Sequence, residues 1–330
     1  MTHAVEAPRP PADLSGRTYL VTGATAGLGF FSSDQLARVG AHVIMTGRNP
    51  NKLALAKAAL RARVPEASIE TLLLDTSKLG SVRAAAATVR ARGRLDGLLL
   101  NAGMVHPPKS RETADGNELV FATNVLGHFA LAGELLQPLA AATGRMVWVG
   151  SVSTSLWRYD PVDPQLLDGY TPWRAYVQSK VATTALGLVA DRRLREADVP
   201  VTSVVAHPGY SKGGRTVGIR GINEPTRAKR FFDNLQSPIA QSKESGAASL
   251  VRALTDPEVH GGEVWGPRFA LRGVPHRATV TGPTQDPEVM ARLWRTCEEA
   301  TGVRWPFAKA SRTAAVTPTT RRRMPRRPEA

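Results

Sequence analysis

Short apolar runs alternate with longer amphipathic stretches along nearly the whole chain. RTYLVT, Arg17 to Thr22, reads as a strand. It runs into the glycine-rich GATAGLG and then a helix to about Val39, which Gly40 stops. AHVIMT is a second strand ending at Gly47-Arg48, and Asn49-Pro50 opens the next helix, with Asn as cap and Pro in the first turn. SIETLLL is a third strand ending at Asp75, and Ser77 is the expected cap of the alanine-rich helix after it. LDGLLL is a fourth strand ending at Asn101, followed by a helical stretch from about Asp115 to Ala141. RMVWVG is a fifth, ending at Ser151, and a long loop leads from it to a helix carrying Tyr176. PVTSVVA is a sixth, ending at His207-Pro208-Gly209, and a seventh is expected around Gly262 to Trp265.

Repeated strand–helix units with short apolar strands predict an α/β fold. We expect a doubly wound, mostly parallel Rossmann-type sheet of about seven strands with helices on both faces, in a single domain. The predicted division is a flexible segment over 1–15, the folded domain over 16–307 and a basic disordered tail over 308–330. In such sheets ligands bind at the carboxyl ends of the strands, and every polar motif named below falls at one of those ends.

Hydrophobic residues make up 42% of the 330, enough for a sizeable core. No apolar run approaches the ~20 residues of a membrane span. The start, MTHAVEAPRPPADLSG, is Pro-rich and unlike a signal peptide. Cys297 is the only cysteine, so no internal disulfide forms, which fits a reducing, cytoplasmic location. The net charge of +15 is uneven. Lys309, Arg312, Arg321, Arg322, Arg323, Arg326 and Arg327 stand against Glu329 alone in the tail. No aromatics interleave with these charges, so a solvated extension is preferred to a nucleic-acid or membrane contact.

The loop TGATAGLG, Thr22 to Gly29, follows a strand and opens a helix. Gly23, Gly27 and Gly29 permit a sharp turn and close approach of a ligand, and the helix N-terminus beyond suits a pyrophosphate. At the end of the second strand an acid would hold the ribose hydroxyl of NAD, whereas an arginine receives the 2′-phosphate of NADP. TGRN has no acid there and has Arg48, which points to NADP(H) over NAD(H); the bland alternative is a surface charge. Tyr176 and Lys180 in YVQSK lie one helical turn apart. A nearby ammonium favours the phenolate and would draw the phenol toward neutrality, making it a proton carrier for a carbonyl or alcohol oxygen. Without context, such a pair is a solvated helix turn.

These motifs together resemble the short-chain dehydrogenase/reductase family. The nearest branch holds retinol dehydrogenases, WW-domain oxidoreductases and light-dependent protochlorophyllide reductases. The resemblance runs from about Gly16 to Val303. It places Gly23, Thr25, Ala26, Gly27, Leu28 and Gly29 in the cofactor loop. Asp75 matches the acid at the adenine, with Asn49 and Thr76 beside that end. Asn101, Ala102 and Gly103 match the NAG segment, and Pro208 and Gly209 the loop beside the nicotinamide. NVLGHF supplies the active-site Asn124, which in the family holds a water linking the lysine to solvent; VGS supplies Ser151, and YVQSK supplies Tyr176 and Lys180. The resemblance implies hydride transfer between a nicotinamide and a carbonyl or alcohol. Ser151 would hydrogen-bond the substrate oxygen, Tyr176 would be acid or base, and Lys180 would lower its pKa and bind the nicotinamide ribose. A catalytically idle NADP(H)-binding regulatory or interaction protein is the alternative.

The departures are Thr25 and Ala26 in the cofactor loop, and Trp148 and Gly150 in the fifth strand. Trp148 is expected to alter packing beneath the nicotinamide. Thr216 is a candidate for the carboxamide contact only with a shifted loop. The long Ser151-to-Tyr176 connection is typical of the branch. The substrate pocket is expected from 155–173 and a lid over 210–241. Leu156, Trp157, Tyr159, Tyr170 and Trp173 suit a flat or greasy small molecule, or else fill the loop's own core. His128 reads as a packing histidine, and no Cys/His cluster has metal-site spacing.

Overall fold

The computed structural model describes residues 13–105, 107–155, 159–279 and 286–307. The expected basic tail and the first twelve residues lie outside them. The packed chain begins before Gly16: Leu14 is buried, and its N–H donates to Val39 O at 2.8 Å.

The Val-, Ile- and Leu-rich runs become strands because both their faces are covered. They are β1 (Thr18–Val21), β2 (His42–Gly47), β3 (Ile69–Leu73), β4 (Gly97–Leu100), β5 (Arg145–Val149) and β6 (Thr202–Ala206). Between them lie α1 (Gly27–Arg38), α2 (Pro50–Arg63), α3 (Leu79–Arg90), a composite helix and α7 (Pro172–Glu196). The composite helix is α4 (Leu119–Phe121), a π-turn (Ala122–Leu126), α5 (Gly127–Glu134) and α6 (Leu136–Ala141). After β6 come β7 (Ser211–Lys212), α8 (Arg227–Leu235), β8 (Gln241–Ser242), α9 (Lys243–Thr255), β9 (Val264–Pro267), β10 (Pro275–Ala278) and α10 (Pro287–Thr301).

The main sheet runs β10-β9-β6-β5-β4-β1-β2-β3. Leu20 of β1 faces Ile44 on one side and Leu98 on the other, all in parallel. Strand order therefore reverses beside β1, and a crevice opens there at the carboxyl ends. The sheet has eight strands where the sequence suggests about seven. The extra one, β10, runs antiparallel to β9, with Ala278 opposite Val264. Its sequence PHRA has no apolar run because it forms an edge with mostly exposed side chains.

Alternation along β5 sends Met146 and Trp148 to one core and Val147 and Val149 to the other. Helices α3, α5, α7 and α10 cover the first face; α1, α2 and α9 cover the second. Trp148 stacks on Trp305 at 6.4 Å, and its Nε1 donates to Ser203 Oγ at 3.0 Å. Gly187 of α7 makes the room, since a Cβ there would lie 3.0 Å from the indole. Trp148 thus packs between α7 and the cluster of Phe129, Trp294 and Trp305, on the opposite face from Val149, and does not line the crevice. The expectation that it alters packing beneath the nicotinamide is not met.

Two helix starts also differ. Ser77 does not cap α3; its hydroxyl donates to Asp75 Oδ1 at 2.7 Å. Asp115 Oδ2 instead accepts Leu79 N–H at 2.9 Å, a cap supplied from a distant part of the chain. The stretch expected to be helical from Asp115 starts at Leu119. Glu118 accepts the N–H groups of Val120 and Phe121, and a turn closes Thr113 on Asn117. Asn49 does cap α2, accepting Lys52 N–H at 3.1 Å.

Candidate active site and cofactor crevice

The loop between β1 and α1 is shaped by backbone approach. Gly23 has φ +66° and Gly27 φ +59°, the left-handed region that glycine enters freely. A Cβ on Gly29 would lie 2.4 Å from Gly23 O, so only glycine lets α1 begin under the loop. Thr22 Oγ1 accepts from Asn101 N at 2.8 Å and Ala102 N at 2.9 Å, while Asn101 Nδ2 donates to Thr22 O at 2.8 Å. The NAG segment is thereby stitched to the glycine loop. His128 stands behind both. Its Nδ1 must carry the hydrogen given to Asn124 O, and its Nε2 meets Thr22 Oγ1 at 3.0 Å. Burial holds it neutral, with its pKa down at about 3. This is a satisfied packing histidine.

At the start of α1, Ala26 provides no side-chain cap and the first turn carries no acid. The leading N–H groups face a cavity of about 580 Å³. Gly23, Thr25, Ala26, Gly27 and Leu28 line it, with Arg48 past β2, Asp75 and Thr76 past β3, and Asn101 to Gly103 past β4. Tyr176, Lys180 and Pro208 line its other end. Of the residues expected at the cofactor, Gly29, Asn49 and Gly209 do not line it. Gly29 seats the helix and Asn49 caps α2. Gly209 makes a left-handed turn, φ +62°, tight against Leu271 O.

Lys243, at the start of α9, lines the same cavity and was not foreseen. Its Nζ lies 3.9 Å from where a Cβ on Gly27 would be, directly over the α1 N-terminus. Burial pulls its pKa down, helped by Lys229 and opposed by Asp233. No carboxylate lies within ion-pair distance of it among the described residues. A lysine opening a helix carries no sequence signal; only the fold brings it here. Ser211 joins the lining for the same reason. Thr216 does not: its hydroxyl donates to Lys212 O at 2.7 Å and accepts Lys243 N–H at 2.9 Å.

Tyr176 and Lys180 face the cavity from one side of α7. Lys180 is buried, and its Nζ donates to Val149 O at 2.7 Å; burial lowers its pKa to about 8. The phenol of Tyr176 is raised above its ordinary value by burial, with only a hydrogen bond to Ser151 opposing. The sequence expectation of a phenol drawn toward neutrality is thus reversed here: desolvation outweighs any help from the ammonium. Ser151 Oγ also lies 2.8 Å from Ser153 Oγ. Asn124 sits in the π-turn, a local widening often found at functional sites. Its Nδ2 donates to Met104 O at 3.1 Å and Ser179 Oγ at 2.9 Å, and its Oδ1 accepts Met104 N–H at 2.7 Å. Ser179 Oγ in turn donates to Tyr176 O at 2.7 Å. Asn124 therefore braces the Gly103–Met104 segment against the turn of α7 that carries Tyr176.

A second cavity, about 380 Å³, is lined by Ser151 and shares Gly150 with the lining of the first. Thr154, Thr184, His207 and Arg268 line it. His207 is buried, and its pKa falls to about 4. Of the residues expected at the substrate, Leu156 and Trp157 lie outside the described residues. Tyr159 is buried in the main core, and Tyr170 packs in the small cluster of Val120, Leu166 and Ala175, its hydroxyl donating to Pro107 O. Those two fill cores. Trp173 is exposed and lies 6.2 Å from the Tyr176 ring.

The family profile described as "short chain dehydrogenase" matches residues 17–218. Polyprenol dehydrogenase of Mus musculus is 35% identical over 300 residues, covering 87% of this chain and 84% of its own. Retinol dehydrogenase 13 of Homo sapiens is 30% identical over 306 residues, covering 90% and 88%. A crystal structure of an uncharacterized protein from Mycobacterium Paratuberculosis matches with a TM-score of 0.73 at 31% identity, covering 90% of this chain and 97% of that one. The chain belongs to the short-chain dehydrogenase family, in its retinol dehydrogenase-like branch. It is an oxidoreductase of the kind that uses a nicotinamide cofactor and acts on small molecules. No helix among the described residues is long and apolar enough to cross a membrane.

Proposed function

We propose that this protein is a cytoplasmic, NADP(H)-dependent carbonyl reductase or alcohol dehydrogenase for a bulky apolar or aromatic substrate. The observation that carries the reading is the convergence of Tyr176 and Lys180 in the wall of the first cavity with the Ser151 hydroxyl, hydrogen-bonded to Tyr176, in the wall of the second. The crevice fits a dinucleotide: α1 offers uncapped N–H groups, Gly23 and Gly29 leave no room for a side chain, and Arg48 and Lys243 supply cations along it. When bound, the nicotinamide supplies or accepts the hydride.

This chain's residues do the rest. Ser151 donates a hydrogen bond to the substrate oxygen, countering charge that develops there. Burial keeps the Tyr176 phenol protonated at neutral pH, which suits it to give a proton to that oxygen in reduction. In oxidation it takes the proton back. Lys180 holds the nicotinamide ribose, and its ammonium lowers the cost of the phenolate that forms. Asn124 acts as a positioning residue through Ser179. Arg48 follows β2 with Thr46 and Gly47 where an acid would repel a phosphate, so it takes the 2′-phosphate of NADP. The apolar substrate is supported by Trp173 beside Tyr176, and by relatives named for polyprenol and retinol, both apolar alcohols.

The direct test follows absorbance of the reduced nicotinamide against ketones, aldehydes and alcohols of graded size and polarity, with NADPH or NADP. Turnover of an apolar or aromatic compound in preference to small polar ones is expected. Cofactor binding with no turnover across the panel would sink the enzyme reading in favour of an idle binding protein.

A further inference from the structure

The wall of the second cavity holds hydrogen-bond donors that the fold leaves unused. Thr184 of α7 lines it and is buried, yet its hydroxyl has no partner among the described residues. Gly150 makes the space, since a Cβ there would lie 2.8 Å from Thr184 Oγ1. The departure from the family pattern at the end of β5 thus opens the way to this hydroxyl. His207, just past β6, also lines the cavity and is buried. Its Nδ1 accepts Gly209 N–H at 3.3 Å, so the neutral ring carries its hydrogen on Nε2. That N–H meets no acceptor among the described residues. Gly266 of β9 clears the place, because a Cβ there would overlap Nε2. A buried donor left unmade is costly, and two on one wall call for an acceptor that enters from outside.

Charge says what kind of acceptor. Arg268, His276 and Arg277 line the same cavity, and among the described residues no aspartate or glutamate does. Arg277 is already held by Glu263 at 3.3 Å. Arg268 is exposed and makes no ion pair among the described residues; its guanidinium only flanks the Phe269 ring at 6.0 Å. One unpaired guanidinium beside two neutral donors suits a group with two oxygens and a single charge. We propose that this cavity takes a carboxylate of the substrate, so that the molecule reduced or oxidised here is an aromatic or apolar keto acid or the matching hydroxy acid. Thr184 Oγ1 and His207 Nε2 donate to the carboxylate oxygens, and Arg268 meets the charge at the rim. Ser151, in the same wall, holds the carbonyl oxygen. The carboxylate exchanges neither hydride nor proton; it fixes the carbonyl in position against Tyr176. The substrate class rests on the enzyme reading above; the carboxylate site does not.

The test compares benzoylpropionate with its methyl ester and with butyrophenone, in which a methyl group replaces the carboxylate. Benzoylbutyrate, its methyl ester and valerophenone repeat the comparison one carbon longer. Absorbance of NADPH gives kcat/KM for each. In at least one series the keto acid is expected to exceed both neutral compounds by at least about tenfold. Arg268→Gln is expected to cut that preference by at least about threefold, its guanidinium being exposed, and Thr184→Val by about three- to tenfold. The melting temperature of Thr184→Val is expected to hold or rise, because the hydroxyl bonds to nothing in the fold. A keto acid no better than its ester or its ketone in both series, or a preference that neither variant lowers, would overturn the proposal and leave the enzyme reading standing. If no compound is turned over, calorimetry of phenylbutyrate, which has no ketone, with the NADP-loaded chain decides. Binding that both variants weaken keeps the carboxylate site and refutes the enzyme reading. No binding, or binding that neither variant changes, refutes the site.

Discussion

The glycine-loop side of the crevice and the 210–241 segment across from it are held by opposite means. On the first side, backbone meets backbone. Gly23 and Gly29 allow contact that no side chain could share, and Thr22 and Asn101 tie β1 to β4 with short bonds. On the second side, isolated polar residues hold long irregular stretches. Asn223 Nδ2 reaches Gly213 O and Val217 O, each at 3.0 Å, and Asp233 anchors α8. The first arrangement presents one rigid shape to one ligand type. The second leaves apolar side chains outside and can vary without disturbing the sheet. A fixed loop and a changeable surface segment can share one fold for that reason.

Breaking the chemistry at the junction of the two sides is expected to have the largest effect. Tyr176→Phe removes the proton donor and leaves the glycine loop and Lys180 in place. A fall in turnover of about 10²- to 10⁴-fold is expected, with cofactor affinity retained, as read by steady-state rates and a binding titration. Turnover within a few-fold of wild type on the true substrate would remove Tyr176 from the mechanism.

Arg48→Ala tests the rigid side. A charge-assisted contact of about 1.5–3 kcal/mol predicts an NADPH dissociation constant raised about 10- to 100-fold, with NADH barely changed. Equal losses for both cofactors would end the 2′-phosphate assignment.

Acid sensitivity tests the two histidines that flank the junction. The fold keeps His128 and His207 neutral, with pKa values near 3 and 4 against an ordinary 6.5. Above about pH 6.5 both folded and unfolded chains hold them neutral, so their full contribution is present. As pH falls from there toward about 4, the unfolded chain takes up protons that the fold refuses, and stability drops. Each histidine costs up to about 1.4 kcal/mol per pH unit in that window. Urea unfolding near neutral pH and near pH ~5 is expected to show the loss, and His207→Asn to shrink it. A flat response would mean that these rings are hydrated in the fold.

The smallest expected effect sharpens the comparison most. Lys243 belongs to the 210–255 side yet reaches over the α1 N-terminus. Because it is only half-buried, Lys243→Ala is expected to weaken NADPH and NADH alike, by about three- to tenfold, in calorimetric titration. A loss confined to NADPH would place its ammonium near the 2′-phosphate instead of the pyrophosphate.

Much of the sheet is readable from the sequence alone. Seven strands and the Asn49 cap sit at or close to where apolar runs and local capping chemistry put them, because those signals act over a few residues. The elements that were missed depend on distant partners. β10 is an edge whose PHRA sequence becomes a strand only because β9 lies beside it. Asp115 caps α3 from 36 residues away. The direction of the Tyr176 shift was misjudged because spacing reports proximity to Lys180 but says nothing of burial, and burial is the larger influence.

By itself, then, the sequence determined the parallel α/β sheet, the glycine turn and the one-turn spacing of Tyr176 and Lys180. Each rests on local sterics or periodicity. Only the tertiary structure decided that Trp148 turns away from the crevice, that Lys243 reaches Gly27, that Asn124 braces Tyr176 through Ser179, and that α8 shows its phenylalanines to the outside. These outcomes depend on which faces of separate elements meet, and on how much water that meeting removes from each side chain.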